Sequence, residues 1–230
     1  MVAMRYFLLT LLLLSGCGEK PENEYTDFIF QLPFQMTARD TVAVGDTLWL
    51  TADFSDQLRE FYSGNTYPVT PQNFELKTLL GLFELTLPDR SIGNQPSATE
   101  YFTFINKTGS LTNLGTTFSP VSYVYTSGRY QLRVGLVAQR RGVFCANFLD
   151  DWAGRRGKEA VPDLTYLVPG RTPDGGKRYA RFDGFYYYIN EGNTNFYLFK
   201  QHCLAISVVN NPSVGNINAE QEASFTFVVK

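Results

Sequence analysis

The segment RYQLRVGLVA, residues 129–138, decides how this chain is read. Successive side chains of an extended strand point to opposite faces, so Tyr130, Leu132, Val134 and Leu136 share one side. Arg129, Gln131, Arg133 and Gly135 share the other. This period of two predicts a strand with one face in a core and one in solvent, and Ser127-Gly128 ahead of it supplies a turn. TLWLTADF, residues 47–54, repeats the pattern behind a Gly45-Asp46 turn: Leu48, Leu50, Ala52 and Phe54 alternate with Thr47, Trp49, Thr51 and Asp53. At the C-terminal end, SFTFVVK (224–230) places Phe225, Phe227 and Val229 together.

Working outward, further strands are expected at FIFQL (28–32), FELTL (83–87), YFTFI (101–105) and VSYVYT (121–126). VFCANF (143–148), FYYYI (185–189), NFYLFK (195–200) and LAISVV (204–209) complete the set. Clusters of Gly, Pro, Asn, Asp and Ser separate them. Many short aromatic and β-branched strands joined by such turns predict an all-β fold, an antiparallel sandwich or barrel. The chain is rich in Phe (19) and Tyr (14) and 44% hydrophobic, ample for a core. Its net charge of −2 argues against a nucleic-acid partner, which needs a basic face.

The N-terminus reads differently. Arg5 precedes an apolar run from Tyr6 to Leu14, followed by Ser15 and Gly16, the layout of a secretory signal peptide. The run is about half the ~20 residues a spanning helix needs. Leu14-Ser15-Gly16-Cys17 resembles the lipobox of bacterial lipoproteins. The resemblance implies removal of residues 1–16 and a diacylglycerol and an N-acyl lipid on Cys17, with no other cofactor. It also implies anchorage in the outer membrane outside the cytoplasm, surface-exposed or, alternatively, facing the periplasm.

Residues 17–27 carry Glu19, Glu22, Glu24 and Asp27 against Lys20 and are expected to be a flexible acidic tether. Residues 28–230 then form one globular domain. The acidic residues after Cys17 also resemble the surface-export signal of Bacteroidota lipoproteins, and Asp40-Thr41-Val42 and Asp46-Thr47-Leu48 resemble that group's O-glycosylation sites. VAVGDTLWLTADFSD, residues 42–56, resembles the opening strands of immunoglobulin-like domains in bacterial surface proteins, and residues 224–229 are similar to their last strand. That resemblance implies a β-sandwich of immunoglobulin-like flavour. The chain departs from the pattern where Trp152 follows Cys145 by only seven residues.

A long loop or short-helix insertion is expected around 147–181, where alternation stops, with the helix at 148–160. Residues 140–181 hold nine Lys and Arg against five Asp and Glu. That excess, with Arg155 and Arg156 at its centre, suits an anionic partner. The alternative is a solvated loop whose charges pair among themselves. Exposed aromatic rings stack on sugars, which makes Trp152, Tyr179 and Tyr187 candidates for a glycan platform; the alternative is that they are core residues. With Cys17 assigned to lipid, Cys145 and Cys203 form either a disulfide or two buried thiols.

Catalytic signals are weak. The single His202 precedes Cys203 on an expected strand, which points the two apart. No GxSxG, HExxH or P-loop string occurs, and no metal site is expected. Asp150, Asp151, Glu159 and Asp183 could supply a glycosidase pair, but any chain with 22 acids offers such pairs. The expectation is a non-catalytic protein that binds glycan or an envelope protein. A structural or adhesion role and a glycosidase-like enzyme are the alternatives.

Overall fold

A computed structural model describes residues 21–150, 162–212 and 215–230. Its first strands are β1 (Glu24–Met36), β2 (Thr41–Val42), β3 (Thr47–Ser55), β4 (Gln57–Arg59) and β5 (Thr66–Pro68). β6 (Thr78–Glu84), β7 (Phe102–Thr108), β8 (Ser110–Leu111), β9 (Phe118–Ser122), β10 (Val124–Thr126) and β11 (Arg129–Ala138) follow. The last are β12 (Gly142–Asp150), β13 (Arg178–Ile189), β14 (Val208–Asn211), β15 (Gly215–Asn218) and β16 (Ser224–Val229). Two short helices intervene, α1 (Phe196–His202) and α2 (Ala219–Ala223).

The described chain separates into two units. One holds residues 21–27 and Asp163–Arg181, the other Phe28–Pro162 and Phe182–Lys230. The larger unit is the sandwich that the alternation predicts. One sheet runs β10-β11-β3-β1-β13, with β7 continuing the same edge of β11 past the end of β10. The other runs β2-β16-β12-β6-β9-β8. The positions marked apolar on β3 and β11 are the buried ones, and β1 adds Phe28, Phe30, Leu32, Phe34 and Met36 at every second residue. Aromatic rings join the sheets: Phe34 stacks on Phe148 at 4.1 Å between centroids, and Phe102 meets Phe144 edge-on at 5.1 Å. Such pairs contribute about 0.5–1.5 kcal/mol beyond burial alone. The two segments that resemble immunoglobulin-like domains are neighbours, because β2 pairs in parallel with β16 through Val228↔Thr41 and Val229↔Val42.

The outer faces of the two sheets differ. On the second sheet, Cys145 points away from the inter-sheet core and is covered by Leu85, Phe199 and Cys203. α1 is held there by Asn195, whose side-chain amide donates to Thr226 O at 2.9 Å. Among the described residues, β13 of the first sheet is covered from outside by Phe61 and Phe74, while Gln35, Thr51, Asp53 and Arg133 on the outer side of β1, β3 and β11 stay exposed or half-buried.

Several local expectations need correction. NFYLFK is not a strand but most of α1: its apolar residues fit either period, and Leu198 and Phe199 are buried within a helix started by Asn195 in the left-handed conformation (φ 56°). β2 pairs with β16 only at Val228 and Val229, and the start of the segment meets the same edge where Thr226 N donates to Thr194 O at 3.1 Å before the chain turns into the helix. His202 and Cys203 therefore stand at a helix end. FELTL lies mostly beyond β6, because the buried Gln95 side chain takes over the backbone bonds of Thr86 and Leu87 at 3.2 and 3.0 Å. VSYVYT is cut at Tyr123, with β9 in one sheet and β10 in the other. Residues 204–207 are not a strand.

The insertion is also shorter than 147–181, since β12 runs to Asp150 and β13 starts at Arg178. Its described part contains one 3-10 turn at Thr165–Leu167. The proposed helix at 148–160 lies outside the described residues except 148–150, which belong to β12.

In the smaller unit, residues 22–27 are not a free tether. Glu22 N donates to Asp174 Oδ2 at 2.8 Å, Lys177 N to Asn23 Oδ1 at 3.0 Å and Glu24 N to Lys177 O at 3.0 Å. Arg178 pairs with Glu24 at 2.9 Å and Arg181 with Asp27 at 2.5 Å. Glu24 and Asp27, expected to solvate a linker, instead pair with arginines at the start of β13.

Candidate binding groove on the open sheet face

A cavity of about 340 Å³ crosses the open face of the first sheet. Its floor is built from alternate residues of neighbouring strands: Pro33 and Gln35 on β1, Thr51 and Asp53 on β3, Gln131 and Arg133 on β11. Strand pairing sets their spacing, since Gln35 stands opposite Thr51, Thr51 opposite Arg133, and Asp53 opposite Gln131. One end is a notch in the sheet edge. β10 leaves β11 at Gln131, and β7 takes over at Arg133, so Thr108 walls the gap. The β7 register slips between Arg133 and Val134, leaving Lys107 without an opposite residue. Bulges of this kind re-aim side chains and are over-represented beside functional sites.

The electrostatics are uneven. Asp53 is committed to Arg129, whose Nε lies 2.7 Å from Oδ1 while its Nη2 donates to Asp53 O at 3.0 Å. Arg133 has no carboxylate partner among the described residues. Its guanidinium carbon lies 4.9 Å from the centroid of Trp49. Gly135, opposite Trp49, leaves room for the ring: a Cβ there would lie 3.3 Å from Trp49 Cζ3 and 2.7 Å from Thr47 Cγ2.

A second cavity, of about 450 Å³, lies beside Tyr123, Tyr125 and Tyr130. Its hydroxyls are already engaged: Tyr123 with Thr78 at 2.7 Å, Tyr125 donating to Asp56 at 2.7 Å, Tyr130 donating to Val69 O at 3.0 Å. The first groove presents the freer set of polar groups.

Most residues proposed from sequence alone are not in this groove. Tyr187 is 4% exposed and stacks on Phe148 at 5.2 Å, which makes it a core residue rather than a sugar platform. The opposite face of the FYYY run offers no platform at Tyr186 either, for that ring packs at 4.3 Å on Phe61. Tyr179 belongs to the smaller unit, where it stacks on Tyr25 at 5.2 Å. Cys17, Trp152, Arg155 and Arg156 lie outside the described residues.

Cys145 and Cys203 are free, buried thiols, so the disulfide alternative is not what the structure holds. Cys203 Sγ contacts Arg90 O at 3.0 Å. Burial pushes the Cys145 thiol up to about 12, and Cys203 shifts the same way for the same reason. Neither is an activated nucleophile.

In sequence the groove residues are less conspicuous than the basic and aromatic clusters of the irregular segments. The available signal was the polar half of the two strands that define the fold, where Trp49 and Arg133 interrupt small polar residues. Fold and groove define a β-sandwich protein with one sheet face open to solvent. No family model matches the chain, and no curated protein is significantly similar to it.

Proposed function

We propose that this chain is an envelope lipoprotein, anchored by acyl chains on Cys17, whose sandwich binds glycan on the open face of its first sheet without catalysing a reaction. The groove carries the reading. It is open and shallow, it lies on rigid strands, and it presents amides, hydroxyls and a guanidinium beside the flat apolar surface of Pro33. Its volume sits at the lower end of the roughly 300–1,000 Å³ of small-ligand sites. The parallel pairing of β2 with β16 supports describing the sandwich as immunoglobulin-like.

The smaller unit supports a short leash. Glu22 is held by the contacts described above, and the links from Cys17 to Glu22 reach at most about 18 Å when fully extended. An acylated Cys17 then keeps residues 22–27 close to the headgroups, and export of the Bacteroidota type places the groove at the cell surface.

Glycan-array binding by the protein lacking residues 1–17 tests the reading. Gln35→Ala with Gln131→Ala should abolish the signal, while Tyr179→Ala should leave it. Array binding that survives the double substitution, or no binding to any glycan while envelope cross-linking yields a protein partner, would sink it.

A further inference from the structure

We infer that the ligand of the groove is an acidic glycan, recognised through the planar carboxylate of a uronic acid by Arg133. The inference rests on the glycan reading of the groove and names the substrate class within it.

Among the described residues that line the groove, Arg133 is the cation and Asp53 the carboxylate, and Asp53 is paired with Arg129. Because Asp53 accepts from Arg129 Nε and Arg129 also reaches the backbone of Asp53, that pair is closed on itself. Arg133 is left with a positive charge that no described carboxylate offsets. A guanidinium presents a rigid fork of N–H donors that matches a carboxylate with two parallel bonds, and it is more weakly hydrated than an ammonium, so it surrenders water readily.

Trp49 makes that fork usable. The guanidinium carbon lies 4.9 Å from the indole centroid, a cation–π contact that favours one placement of an otherwise mobile side chain. Preorganisation of this kind lowers the ordering cost of binding. The arrangement also explains why Trp49 does not line the cavity while Arg133 does. The ring's role is to support the cation, and the cation meets the ligand. Trp49 is accordingly a positioning residue. Unbroken pairing of β11 with β3, Arg133 opposite Thr51, sets where the side chain leaves the strand. Gln131, Gln35 and Thr51, set across the groove, are placed to bond the hydroxyls of neighbouring sugar units.

The test uses titration calorimetry on the acylation-free protein with three probes. These are an oligomer of uronic acid, the same oligomer with its carboxylates reduced to primary alcohols, and a sulfated oligomer of equal length whose sugar units lack carboxylates. The uronic acid oligomer should bind roughly 10- to 100-fold more tightly than the reduced one, the range of one charge-assisted bidentate contact. Arg133→Gln should erase that preference, so that the variant binds the acidic and the reduced oligomer alike. Arg133→Lys should restore only part of it, because an ammonium keeps the charge and loses the fork. Trp49→Leu should weaken the preference without reversing it.

Equal affinity for the acidic and reduced oligomers would overturn this inference and leave the glycan reading standing. A preference for the sulfated oligomer over the uronic acid oligomer would overturn the planar-carboxylate assignment. Retention of the preference in a folded Arg133→Gln protein, checked by thermal unfolding, would overturn the role of Arg133. Binding to none of the three would remove the glycan reading as well.

Discussion

Tyr187 and Trp49 are both aromatic residues on strands of the same sheet, and they do opposite things. Tyr187 sits in a run, FYYY, with rings at every position. Trp49 sits among Thr47, Thr51 and Asp53, alone on a polar stripe. The first strand is covered from both sides, with Phe185, Tyr186, Tyr187 and Ile189 all buried. The second alternates buried and part-exposed residues along its length. A strand with no polar side needs cover on both faces, so a dense aromatic run marks a closed strand. A binding ring is better sought where one aromatic interrupts polar residues.

The comparison breaks most sharply under truncation. Tyr187→Ala should cost about 3–5 kcal/mol in urea unfolding, as large aromatic deletions from a core do. Trp49→Ala should stay within about 1 kcal/mol on that scale, because little of its surroundings must rearrange. Comparable losses for the two would end the distinction between closed and open strands.

The covered face of the second sheet adds a pH test. Cys145 ionises near 9.0 when unperturbed and near 12 when buried. Below pH 9 the thiol is protonated in both states and contributes no pH dependence. Between those values the unfolded chain releases a proton that the folded one keeps, so stability falls by up to about 1.4 kcal/mol per pH unit. Cys145→Ala should flatten that decline in denaturant melts from pH 9 to 12. An unchanged slope would mean that Cys145 is not shielded.

Gly135→Ala probes the open face without touching the groove's polar groups. The added methyl meets Thr47 Cγ2 at 2.7 Å and Trp49 Cζ3 at 3.3 Å. A cost of roughly 1–3 kcal/mol is expected, with a shift in tryptophan emission as the indole moves. No spectral change would show that the ring is not held against this strand. The smallest effect belongs to the smaller unit: Arg178→Ala removes an exposed pair with Glu24 and should change stability by about 0–1 kcal/mol. A larger loss in thermal unfolding would mean that this ribbon is more than a surface contact.

Much of the sandwich was legible from local pattern. Residues 47–54 and 129–138 show their sidedness in a few residues, and their buried positions follow that alternation. NFYLFK was not legible, because six residues with apolar side chains at several positions satisfy a strand and a helix alike; the helix rests on tertiary contacts, the burial of Leu198 and Phe199 and the bond from Asn195 to Thr226 O, which lies 31 positions away. The acidic segment 22–27 looked like a linker because its partners, residues 174–181, lie about 150 positions away. The groove was half visible: its polar residues are plain in sequence, but their adjacency depends on the register of three strands.

The sequence by itself determined the strand-rich class, the sidedness of the central strands and the lipobox-like motif at Cys17, since each rests on residues within about ten positions of one another. Tertiary structure alone decided which outer face is covered and which is open. It also left Asp53 paired with Arg129 and Arg133 resting on Trp49, because those contacts join side chains 76 and 84 positions apart that only strand pairing brings together.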